Sequence, residues 1–306
     1  MEATEETLRL NPELARLART AYSCGRLQLL AMINEANAFD AFMDESHDGV
    51  YCVAGFLGQV GNWNRLWARW TKMLEETDIP AFHMTDCEGA YHDFEGWSRE
   101  DRDAIQRKAI GIVNAPDVRI VGIATGVHVE PYARVRAELE KYRRFLPGQP
   151  GSGSIGDPYF LAFQRAVEAV CGVTIVGLPS TERIGFTFDR NDELGGRALQ
   201  LYALLADSPN LPYAKRLGQI AFQDKRTMVP LQAADLLVYE AYRYLLEVRL
   251  GGKPERWQWK MLRPNVPIVH WFGETELLLL VEGTRRLAEE RMRAQSPPTT
   301  SPDDDA

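Results

Sequence analysis

Four short stretches of this chain put acids where a protein can use them. "FMDESHDG" (42–49) sets Asp44, Glu45, His47 and Asp48 between two apolar runs, and "RIGFTFDRND" (183–192) ends an alternating apolar strand in Asp189. "VPLQAADLL" (229–237) places Gln232 and Asp235 just after Pro230, and "PAFHMTDCEG" (80–89) holds His83 and Asp86 three apart. The chemistry open to such a set is that of oxygen ligands and proton carriers. Carboxylates at strand ends lie where α/β sheets place their sites. Each stretch also has a plainer explanation. Residues 44–49 equally fit an acidic β-turn, since Asp, Ser and Gly are turn formers. Asp192 suits a helix N-cap, and an Asp near a helix start stabilises the dipole. His83 with Asp86 matches no zinc spacing, and His92 with Asp93 reads as polar loop.

Composition narrows the field. At 306 residues, 45% hydrophobic and 25% charged, the chain has the ordinary globular mixture and length enough for a sizeable core. The formal net charge of -8 argues against a large basic nucleic-acid surface. Residues 131–145 do carry five Lys/Arg against two Glu, a stripe that a solvated helix face explains. No apolar run follows a basic start, and the longest aliphatic stretch, Leu277 to Val281, is far too short for a bilayer. Cys24, Cys52, Cys87 and Cys171 are scattered without a C-x-x-C pair, which predicts reduced thiols and a cytoplasmic protein. Gly151, Gly153 and Gly156 fit G-x-G-x-x-G, but no strand leads in. The absence of a G-x-S-x-G elbow and of a phosphate-loop motif disfavours serine hydrolases and nucleotide triphosphatases.

The elements that must position the acids follow from periodicity. Helices are expected over 11–36, over 62–76 with Trp63, Trp67 and Trp70 on one buried stripe, from Ser98, over 158–171, over 193–206 and over 229–249. Strands are expected over 38–44, 50–57, 118–129, 183–189 and 218–223. This order predicts an α/β fold with a mixed sheet covered by helices. The division expected is an N-terminal helical extension (1–37), one domain (38–250) with a loop insertion at 146–158, a C-terminal helical extension (251–294) and a disordered Pro/Ser/Thr/Asp tail (295–306).

Taken together, "FMDES", "FHMTD", "FTFDR" and "LQAADLL" resemble a prokaryotic and phage family known as domain of unknown function 3800, which looks like a member of the ribonuclease H-like superfamily. The resemblance runs from about residue 38 to 250, and His47 stands where the family usually has glycine. It implies a five-stranded mixed sheet flanked by helices, with the first and fourth strands adjacent. Asp44 and Asp189 would then meet at neighbouring strand ends, with Asp235 coming from the last core helix.

Three carboxylates brought together repel, and burial adds to the cost, so they need a cation or a proton. An all-oxygen set with no Cys and little His suits Mg²⁺ or Mn²⁺. The implied activity is a metal-dependent nuclease working with two ions, with phage defence or mobile elements as a fold-level association. Asp44, Asp189 and Asp235 would be the ligands, Glu45 an auxiliary, His83 a proton shuttle or phosphate contact and Gln232 a positioning residue. Nucleic acid is then the expected partner, with a protein partner or second copy alongside and no membrane. A catalytically inert scaffold on the same fold, and a small-molecule phosphoesterase, are the alternatives.

Overall fold

The computed structural model describes residues 39–143, 157–175, 182–209 and 211–295. The helix expected over 11–36, the loop expected over 146–158 apart from its last two residues, and the tail beyond Gln295 lie outside them. Strands β1 (Phe39–His47), β2 (Val50–Gln59), β3 (Val121–His128), β4 (Ile184–Asp189), β5 (Leu217–Gln223) and β6 (Ile268–Phe272) form one mixed sheet in the order β5-β4-β1-β2-β3-β6. Only β2 runs antiparallel to the others. Among the described residues the sheet therefore has six strands where five were expected. The sixth comes from "IVHWF", inside the stretch expected to be helical, and pairs with β3 through Ile268 opposite Ile123.

The strand that opens the sheet is longer than its apolar residues suggest. β1 continues through Glu45 to His47, with Asp44 opposite Ala54 and Glu45 opposite Val53. The acids therefore sit inside a paired strand, and the turn is Asp48–Gly49, where Gly49 takes φ +75° at no steric cost.

Helices cover both faces. On one lie α1 (Val60–Thr77), α2 (Met84–Gly89), α3 (Arg99–Val113), α7 (Val229–Arg243) and α8 (Trp257–Leu262). On the other lie α4 (Val129–Arg143), α5 (Pro158–Ile175), α6 (Gly195–Ala206) and α9 (Glu274–Gln295). Ser98 caps α3 as expected, accepting from the Asp101 amide at 3.1 Å. Asp192 does not cap α6. It pairs with Arg190, while Asn191 Oδ1 accepts from the Glu193 and Leu194 amides. Trp63 and Trp70 are buried, but Trp67 is 39% exposed, because the buried face of α1 runs through Leu66 and Met73 instead.

Helix α7 decides the position of the site. The sheet beneath it is lined with small residues, Ala54, Ala124, Gly122 and Gly126. A Cβ at Gly126 would stand 2.2 Å from Leu245 Cδ1, so the glycine leaves room for that side chain against the sheet. Beyond Arg243 the helix continues in π-helical turns to Leu250.

Its outer flank is tied to α2 and α8 by a buried ion cluster. Arg256 reaches Glu88 at 2.8 Å and Glu240 at 3.1 Å, and the Glu240 side chain is 0% exposed. Burial holds the Glu240 carboxyl up at about 7 even beside Arg256. Removing one partner of such a cluster leaves an uncompensated buried charge. Arg256→Ala is therefore expected to lower unfolding free energy by about 3–5 kcal/mol in denaturant titrations; a loss below about 1 kcal/mol would mean the cluster is not holding α8 in place.

Candidate functional site

Asp44, Asp189 and Asp235 come from three elements and meet at one end of the sheet. β1 and β4 are parallel neighbours, with Met43 opposite Phe188, so Asp44 and Asp189 come next in register. Odd and even residues of a strand point to opposite faces. Phe42 and Asp44 thus face α7, whereas Met43 packs in the core on the far side. Phe186 and Phe188 fill that same far core, which leaves Asp189 on the side of Asp44. Asp235 reaches them from the second turn of α7, with its side chain turned to the sheet and the residue 4% exposed. Dipole stabilisation at the helix start is not its role.

Each aspartate uses one oxygen to fix itself and turns the other inward. Asp44 Oδ1 accepts from the Glu45 amide at 2.8 Å, Asp189 Oδ1 from the Lys225 amide at 3.1 Å, and Asp235 Oδ2 from the Met84 amide at 2.6 Å. The remaining oxygens converge on the ammonium of Lys225, at 3.0 Å from Asp44, 3.0 Å from Asp189 and 2.8 Å from Asp235. An ammonium has three N–H donors, and here each can meet a carboxylate.

Lys225 is the residue that sequence reasoning missed. It sits in the turn between β5 and α7, which Asp224 closes by accepting from the Arg226 amide through its side chain and from the Thr227 and Met228 amides through its carbonyl. Its place follows from the sheet: Asp189 pairs with Gln223, so a lysine two residues beyond Gln223 leaves the sheet at the edge where the other acids stand.

Gln232 holds this arrangement from behind. It is fully buried, its Oε1 accepts from Trp70 Nε1 at 2.9 Å and from the Phe82 amide at 3.0 Å, and its Nε2 donates to the Lys225 carbonyl at 3.0 Å. One side chain thus joins α1, the segment before α2 and the Lys225 turn. His83 stands at the mouth, with Nδ1 2.9 Å from Asp86 and Nε2 3.4 Å from Asp235. Glu45 leaves β1 on the opposite face, where Asn191 donates to its Oε1 at 2.6 Å. Its Oε2 is buried and has no hydrogen-bond partner among the described residues.

Among the described residues, one ammonium faces three carboxylates, with Glu45 close by on the other face of β1. Burial pushes the Asp44 carboxyl well above its usual range; Lys225 opposes this, while Asp235, Asp189 and Glu45 push it further up. Glu45 is raised too, by burial first. For Lys225 burial works downward, but the three aspartates outweigh it and raise the ammonium's pKa. The cluster remains short of positive charge.

The donor chemistry suits a hard divalent ion, being all carboxylate. The spacing suits the ammonium, since oxygens at 2.8–3.0 Å from the centre stand wider than the about 2.1 Å of a Mg²⁺ shell. Among the described residues no group of three or more His, Cys, Asp or Glu side chains is set to hold a metal ion as it stands. No family model, no curated protein and no solved structure matches this chain. Among the described residues no helix is long and apolar enough to cross a membrane.

Two outcomes follow. Gln232→Met leaves two buried N–H groups and a carbonyl without partners, and stability is expected to fall by about 3 kcal/mol in urea titrations; a change under about 1 kcal/mol would remove Gln232 as the joint. For Asp44 the folded pKa lies above the ordinary 3.8. The folded state then keeps a proton that the unfolded state has released, so stability falls as pH rises from about 3.8 towards the raised folded value. Asp44→Asn lacks this titration. In metal-free buffer its stability relative to wild type is expected to improve from pH 4 to pH 7, and parallel pH profiles would contradict the strain assigned to Asp44.

Proposed function

We propose that this protein is a divalent-metal-dependent phosphodiesterase, with nucleic acid as its substrate class and a ribonuclease H-like core. The observation that carries the reading is the convergence of three aspartates, each fixed by a backbone amide and each turning its free oxygen to one point. Such preorganisation has a use where a cation must be held in a fixed place. The adjacency of β1 and β4, and the entry of Asp235 from a helix packed on them, support the ribonuclease H-like arrangement.

In this reading Asp44, Asp189 and Asp235 hold Mg²⁺ or Mn²⁺, with Glu45 as auxiliary. A divalent ion so held supplies Lewis-acid polarisation of the phosphoryl oxygen and a water of lowered pKa. Asp86 orients the His83 ring, and His83 Nε2, at the mouth of the cluster, carries a proton to or from the reacting oxygens. Gln232 keeps the Lys225 turn and the His83 segment in fixed relation. The net charge of -8 weakens affinity for bare duplex, which favours single strands or a partner-delivered substrate.

A second reading has its own observation. Because Lys225 already occupies the centre of the cluster, the fold also suits an inert binding scaffold in which an ion pair stands in for the metal.

The test is a panel of single- and double-stranded DNA and RNA with Mg²⁺ or Mn²⁺ at low salt. Asp44→Ala, Asp189→Ala and Asp235→Ala are each expected to abolish cleavage, because ligands acting as a unit are not additive. His83→Ala should slow it roughly 10²–10⁴-fold. Equal background for wild type and the triple-aspartate variant on every substrate would replace this reading with the scaffold.

A further inference from the structure

We propose that Lys225 is an exchangeable counter-ion: its ammonium holds the three aspartates together when no divalent ion is bound, and leaves the cage when one enters. The inference rests on the metal reading above and concerns what that reading leaves unexplained, a positive charge standing where the ion belongs.

Three aspartates with no counter-charge would repel one another. Lys225 removes that difficulty by donating hydrogen bonds to the inward oxygens of Asp44 at 3.0 Å and Asp235 at 2.8 Å and by pairing with that of Asp189 at 3.0 Å. The same position cannot hold both cations. A Mg²⁺ shell needs oxygens at about 2.1 Å, and an ammonium among them would occupy the space and repel the ion. Entry of the ion therefore requires the ammonium to move.

The backbone and the side chain of Lys225 are built differently for this. The backbone is anchored, its amide to Asp189 Oδ1 and its carbonyl to Gln232 Nε2. The side chain is a flexible four-carbon stem. It is also 23% exposed, whereas those of Asp44 and Asp235 are 4% and 6%. The stem thus has contact with solvent that the aspartates lack, and it can move while the backbone of the turn stays anchored. Charge gives the exchange its direction, because one positive charge leaves three carboxylates under-neutralised and a divalent ion brings two.

Two signatures follow, with opposite signs. Lys225→Met keeps the length of the stem and removes the charge, so the ion-free protein should melt at a lower temperature. Its Mn²⁺ affinity, by titration calorimetry, should rise ~10-fold or more, because the cage no longer has to expel an internal competitor. Lys225→Gln, a polar neutral variant, provides the same comparison should the methionine variant fail to fold. Removing a charge also strengthens the field on any cation nearby, so a second readout is needed. The side-chain ammonium of Lys225, held by three carboxylates, should give a ¹H–¹⁵N signal in ion-free wild type that is lost on adding Mg²⁺.

Equal or weaker Mn²⁺ binding by the variants, with wild type binding normally, overturns the exchange and leaves the metal site standing. Persistence of the ammonium signal at saturating Mg²⁺ also overturns it. If wild type binds no ion while Lys225→Met does, the lysine is a permanent occupant and the scaffold reading is favoured. If neither binds, the metal reading falls and the exchange with it.

Discussion

The contact on which the site depends is that of one ammonium with three carboxylates. Bringing Asp44, Asp189 and Asp235 together is unfavourable twice over, through mutual repulsion and through loss of water. Lys225 makes the arrangement stable enough to be a folded state, and three backbone amides give each carboxylate a fixed bearing. A buried ion cluster is weak evidence for stability alone, because desolvation can exceed the Coulombic gain. It is stronger evidence for a constraint of another kind, which here is a cation position defined by elements far apart in sequence.

The rest of the fold can be read as support for that position. Small residues on β2 and β3 let α7 settle onto the sheet, which brings Asp235 within reach of β1. Gln232, one turn before Asp235, ties α7 to Trp70 on α1, to Phe82 beside His83 and to the Lys225 turn. On the flank, Arg256 joins α7 to α2 through Glu240 and Glu88. Packing, a neutral hydrogen-bond hub and an ion cluster thus constrain the same helix from three sides.

What could be read from the sequence was what local pattern controls. The alternation Ile184, Phe186, Phe188 places Asp189 on the opposite face, and strand and helix order give an α/β sheet with helices on both faces. Ser98 carries cap chemistry visible in three residues. The misses depend on tertiary context. β6 is five residues long and is a strand because the β3 edge is free to pair with it. Trp67 is only slightly off the stripe of Trp63 and Trp70, and the difference between buried and exposed is set by what packs against α1. Lys225 belongs to none of the four acidic stretches. Its meaning lies in the pairing of β4 with β5, which no local pattern announces.

The central claim is that the aspartate cage is a divalent-ion site whose place Lys225 keeps. A crystal structure with Mn²⁺, phased for anomalous signal, tests it most directly. The account predicts a peak between the inward oxygens of Asp44, Asp189 and Asp235, with the Lys225 side chain turned out towards solvent. Lys225 still bonded to all three aspartates at saturating Mn²⁺, with no peak among them, would contradict it.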